Sequence, residues 1–133
     1  MVIKFKKILS EISAGELLDK ISILEIKLEK INDIDAKTQV KKEYETLKET
    51  LNSSIKFDGK IKNLFNSLKN INLKLWNIED EIRICEKNKD FGEKFLKLAR
   101  DVYLNNDDRS KVKSEINSLL KSNIVEVKQY ADY

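Results

Sequence analysis

The feature that most constrains this chain is a run of apolar residues spaced 3, 4, 3, 4, 3, 4 and 3 apart. Ile61, Leu64, Leu68, Ile71, Leu75, Ile78, Ile82 and Cys85 keep that rhythm without a fault. It is the seam of a helix packed along another helix. The spacing predicts a helix over 60–87, about 42 Å long at ~1.5 Å per residue. Proline is absent, glycine occurs three times and 37% of the residues are charged. That composition suits helices with solvated outer faces.

The rhythm recurs upstream. Ser13-Ala14-Gly15-Glu16 has the S-x-x-E form of a capping box, in which the Ser hydroxyl accepts from the Glu amide and the carboxylate reaches back. Leu17, Ile21, Leu24, Leu28 and Ile31 then form a seam that runs to about Asn32. Ile23 and Ile26 lie off it, so this helix should be covered on a second side. Asn32–Asp35 is the break. Val40, Tyr44, Leu47 and Leu51 predict a second helix over 37–54, antiparallel to the first because the connection is short. Asp58 suits the N-cap of the long helix.

Downstream, Phe91, Phe95, Leu98 and Val102 form one stripe of a fourth helix, and Leu96, Ala99 and Tyr103 form another. Asn105–Asp108 reads as a turn, with either Asp capping a short fifth helix that carries Val112, Ile116, Leu119 and Leu120. Val2–Ile8 and Ile124–Val127 read as short strands at the two ends. The expected fold is mainly α, an antiparallel helical bundle in one domain over 1–133. Because the 60–87 helix outruns the rest, its excess seam should meet the chain's own tail or a second copy, and a homo-oligomer is expected. Cys85 sits in the seam and reads as a small core residue, not a reactive thiol.

Missing residue types limit the chemistry. There is no His, which removes the commonest general base, the triads that use it and nearly all zinc sites. One Cys cannot form an internal disulfide or a CxxC motif. The 26 basic and 23 acidic side chains give +3, too slight and too evenly spread to argue for nucleic acid. No apolar run approaches the ~18 residues of a membrane span, and the Lys-studded start lacks a signal-peptide core. A cytoplasmic protein without a cofactor is expected.

The bases themselves are uneven. Lys occurs 23 times, Ile 16 and Asn 12, an excess that reads as coding bias from an AT-rich genome. Arg occurs three times, as Arg83, Arg100 and Arg109, within one 27-residue stretch, which bias alone does not predict. Three polar clusters follow. On the long helix, Trp76, Asp80 and Arg83 fall beside the seam and Glu79 pairs with Arg83 at i,i+4, a candidate wall for a planar or phosphorylated ligand. On the first helix, Glu16 and Lys20 share a stripe with Ile23 and Asp19 lies beside them. If that side is covered, these acids must pair with a Lys or Arg across the bundle. The third cluster is Arg100, Tyr103, Asn106, Asp107, Arg109 and Lys113. Two cations at the start of a fifth helix would oppose its dipole unless an anion bound there, or Asp107 or Asp108 paired with them.

Taken together, Gly15–Lys27, Leu75–Arg83, Phe95–Tyr103 and Asn106–Arg109 followed by Lys113 and Asn117 resemble a family of small helical proteins of unknown function from bacteria and their tailed phages. The resemblance spans nearly the whole chain. Glu16, Asp19, Lys20, Trp76, Glu79, Asp80, Arg83, Arg100, Asn106, Arg109 and Lys113 are among the residues that carry it. It implies no established activity.

The expected function is a non-catalytic binding protein for an anionic, phosphate-bearing small molecule such as a nucleotide. Arg83, Arg100, Arg109, Lys113 and Lys20 would hold the anion, Trp76 or Tyr103 would stack, and Glu16, Asp19, Glu79 and Asp80 would position the cations. Two alternatives stand beside it. One is an enzyme, either a Mg²⁺-dependent all-α phosphohydrolase using Glu79, Asp80, Glu81 and Glu86 or a chorismate-mutase-like isomerase. The other is a purely structural adaptor.

Overall fold

The structure, a computed structural model, describes residues 6–133. It contains four helices: α1 (Ala14–Lys30), α2 (Ile34–Ser54), α3 (Gly59–Lys87) and α4 (Glu93–Leu119). Each of the first three is started by a side chain. Ser13 accepts from the Glu16 amide at 3.1 Å, Asp33 from Ala36 at 2.8 Å and Asp58 from Ile61 at 3.1 Å. Asp33 lets α2 begin at Ile34, three residues before the periodicity suggests. The reciprocal half of the α1 capping box is replaced, because the Glu16 carboxylate turns to Lys113 instead, at 2.7 Å.

The largest departure from the sequence reading lies in α4. The turn expected at Asn105–Asp108 is helical, and the fourth and fifth helices are one element of 27 residues. Four Asn and Asp residues carry poor helix propensity, yet propensity is a weak prior beside tertiary contact. Val102 packs in an apolar cluster on one side of this stretch, and Arg109 is held by Asp19 on the other. Asn105 also donates back to the Asp101 carbonyl at 2.8 Å. Arg109 and Lys113 therefore stand in mid-helix, where the surrounding amides are spent on the helix itself. The helix-end anion site inferred from the sequence does not exist.

No strand occurs among the described residues. Ile124–Val127 is irregular, and of the expected Val2–Ile8 strand Lys6–Ile8 is irregular while the rest lies outside the described residues. The final segment runs back along α4 instead, as contacts of Glu126 with Lys113 and of Tyr133 with Asp107 show.

Asn88–Gly92 reverses the chain between α3 and α4, with Lys89 at φ 55°. α3 packs along α4, and α1 packs against all three other helices, which buries Ile26 on its second side and leaves Ile23 half-buried. Two apolar clusters result. Leu17, Leu18, Ile21, Leu51, Ile61, Phe65, Leu68 and Ile116 make the larger, from all four helices. Ile78, Cys85 and Leu98, with Ile82, Phe95 and Val102 against them, make the smaller, from α3 and α4 alone. The second α4 stripe stays largely open, with Leu96 at 62% and Tyr103 at 45% exposure. Because α4 is nearly as long as the 29-residue α3, all eight seam positions are covered or half-covered within one chain. The seam does not call for a second copy. No helix among the described residues is long and apolar enough to cross a membrane.

Candidate functional site

Between the two apolar clusters lies a layer of buried polar side chains, centred on Asp19 of α1, which is 1% exposed. Arg109 of α4 grips it with two parallel contacts, Nε to Oδ1 at 2.9 Å and Nη2 to Oδ2. This is the fork-to-fork geometry that makes an Arg–carboxylate pair strong. From α3, Asn72 donates to Asp19 Oδ1 at 2.9 Å and to Ser22 Oγ at 2.8 Å, while Ser22 donates to the Asp19 carbonyl at 2.7 Å. α1, α3 and α4 thus meet at this carboxylate.

Lys113, one turn beyond Arg109, extends the layer. Its Nζ lies 2.7 Å from Glu16, 3.2 Å from Glu126 and 3.9 Å from Asp19. Lys20 and Lys128 close the rim, each pairing with one of those glutamates. Burial pulls the Lys113 ammonium down, but Glu16, Asp19 and Glu126 more than offset it and leave its pKa raised. The hydrogen bond to Asp19 likewise raises Arg109 against the opposing effect of burial. Burial pushes the Glu126 carboxyl up, and Lys113 with Lys128 brings it net below its ordinary value. Among the described residues no buried polar side-chain atom lacks a hydrogen-bond partner.

Above this layer opens a groove of about 500 Å³. Ile23 and Ile26 of α1 form one side, Trp76, Glu79, Asp80 and Arg83 of α3 another, and Asn106 and Arg109 of α4 the third, with Asn72 and Leu75 beneath. The Trp76–Arg83 flank thus stands beside the seam, where helical periodicity puts it. Arg83 pairs with Glu79 and is 71% exposed in its side chain. Asp80 joins none of the ion pairs among the described residues. Nor do three or more His, Cys, Asp or Glu side chains there come together as a metal site.

The three arginines do not converge. Arg83 and Arg109 share the groove, whereas Arg100 is exposed on another face of α4 and lines neither the groove nor the hollow beside it. Tyr103 also lies outside the groove, edge-on to Tyr133 with ring centres 5.6 Å apart. Lys20 and Lys113 belong to the buried layer and its rim, so Lys113 is a pairing residue here and not an exposed cation.

Several participants escaped the sequence reading. Asn72 is one of twelve Asn in a chain whose Asn excess reads as coding bias, which hid it. Its position one step from the seam, flanked by Ile71 and Leu73, was the signal. In the sequence Gly15 stands only as a spacer of the capping box. In fact its amide donates to Asn117 Oδ1 at 2.7 Å, and a Cβ there would lie 2.6 Å from the Lys113 carbonyl oxygen. Glu126, in a segment with the pattern of a strand, lies in irregular chain and reaches Lys113.

Comparison with known proteins places the chain in a family. Residues 8–132 fit the model of a family described as "Family of unknown function (DUF6165)", and the chain belongs to that family. No curated protein and no solved structure matches it.

Proposed function

We propose that this member of a family without an assigned activity is a binding protein, and that the groove between α1, α3 and α4 takes a small ligand bearing a phosphate and a planar ring. The observation that carries the reading is that Trp76, Arg83 and Arg109 line one groove over a floor whose polar groups are already paired. An indole offers a face for stacking. A guanidinium has five N–H groups, so Arg83 and Arg109 each keep donors beyond those given to Glu79 and Asp19. Asp19 also fixes the Arg109 fork in place, which lowers the cost of ordering it around an anion. Glu79 and Asp80 restrict the anion to the α4 side of the groove. Because each Arg is already neutralised, modest affinity that weakens with salt is expected. Arg100 has no part in this site.

Binding without turnover is the economical reading, since the groove lines up neither a His nor an activated nucleophile. The reading takes the protein to be cytoplasmic, in the host cytoplasm if the gene is a phage's, where it would sequester a nucleotide. Trp76 is the chain's single Trp, so its emission reports on the groove directly. Titration with AMP, GTP and sugar phosphates, with and without Mg²⁺, should give a saturable change that is lost in Arg83→Gln. A flat emission and an unmoved melting temperature with every phosphate would overturn the reading in favour of a structural adaptor. A response that requires Mg²⁺ would overturn it in favour of the hydrolase.

A further inference from the structure

Beside the groove lies a second concavity of about 390 Å³ between α4 and the C-terminal segment, lined chiefly by Val102, Tyr103, Asn106, Tyr130 and Tyr133. Asn106 is a wall of both spaces. Val102, Asn106 and Arg109 are spaced four and three apart, so they lie along one face of α4. The hollow and the groove are therefore successive stations on that face, not separate sides of the molecule.

The two stations have complementary chemistry. The groove carries the indole and the two guanidiniums, while the hollow carries three phenols, with Lys128 and the Asp107 carboxylate at its edge and the latter taken up by the Tyr133 hydroxyl. Tyr103 and Tyr133 meet at 74°, an edge-to-face arrangement that leaves ring faces uncovered. Tyr130 and Tyr133 are 72% and 83% exposed although they frame an apolar hollow. The segment that bears them is tied down at both ends, by Glu126 on Lys113 at 3.2 Å and by the Tyr133 hydroxyl on Asp107. Tyr133 is thus held in place as a wall, and Tyr130 stands three residues before it on the same segment.

Building on the groove reading, we propose that the hollow is a second subsite of the same site and takes the second ring of an elongated ligand, a dinucleotide whose two rings are joined by phosphates. One ring stacks at Trp76, the other enters among the tyrosines, and the bridging phosphates pass Asn106 and Arg109 at the junction. A mononucleotide fills only one station.

The test compares AMP with diadenosine tetraphosphate on the intact chain, following Trp76 emission and, in parallel, calorimetry. The dinucleotide is expected to bind about tenfold tighter or more, the scale of one base stacked on an aromatic side chain. Tyr130→Ser/Tyr133→Ser, two exposed positions whose loss leaves both apolar clusters intact, should bring the dinucleotide down to the affinity of AMP and leave AMP unchanged. Equal affinities in the intact chain would overturn the second subsite while leaving the groove reading standing. A double variant that weakens both ligands equally would overturn it too, making the segment a support for the groove. Absence of binding by either ligand would overturn both.

Discussion

A carboxylate with 1% of its surface exposed must be held by donors that stay in place, and Asp19 receives them from Arg109 and Asn72. Removing one partner from such a pair leaves the other charge buried and uncompensated, which costs about 3–5 kcal/mol. Asp19→Asn is expected to lose stability on that scale in urea denaturation. Adding Arg109→Met should recover part of the loss, since the pair removed together leaves no orphan. The pH dependence is signed by Glu126 and Lys113. The Glu126 carboxyl is depressed in the fold, so what it contributes is present above its ordinary 4.5 and is lost as pH falls through the lower folded value. The raised Lys113 ammonium contributes below its ordinary 10.5, and that part is lost as pH rises through the higher folded value. Glu126→Gln should therefore flatten the acid limb of a melting-temperature profile and leave its alkaline limb less changed, because Glu16 and Asp19 still hold Lys113.

At the scale of elements, helix existence was legible because apolar spacing reports burial directly, and α3 shows it at all eight seam positions. Continuity was not legible. Asn105–Asp108 has the composition of a turn, and only the docking of Val102 on one side and Arg109 on the other keeps it helical, through contacts that no local window contains. Amide exchange at 105–108 should accordingly be protected like the rest of α4. The site divides in the same way. Trp76, Glu79 and Arg83 could be placed on one flank from spacing alone, whereas the meeting of Asp19, Asn72 and Arg109 depends on how three helices cross. Gly15 shows what that crossing demands. A Cβ at 2.6 Å from the backbone oxygen of Lys113 cannot be accommodated by turning a side chain, so α1 or α4 would have to move. Gly15→Ala gains about 1 kcal/mol of helix propensity against an overpacking cost of about 1–3 kcal/mol. A net fall in melting temperature is expected.

For the whole molecule, the decisive fact is that the apolar interior comes in two unequal parts with a charged layer between them. The smaller part belongs to α3 and α4 alone, so the hairpin end should open at a lower free energy than the four-helix end. Exchange at Ile82–Leu98 is expected to outpace that at Ile61–Leu68, and Ile78→Ala should widen the gap. The charged layer has a further consequence, for alignment. A seam as regular as that of α3 fits its neighbours almost as well when slid by one heptad, since leucine and isoleucine make no distinction between one turn and the next. Slid either way, Phe65 or Glu79 would arrive where Asn72 now meets Asp19, and a phenyl ring cannot donate while a second carboxylate would repel. The amide is thus a key that fits one setting of an otherwise repetitive ratchet. Asn72→Leu should keep the helical signal in circular dichroism while the amide spectrum splits into more than one set of resonances, as neighbouring settings become populated.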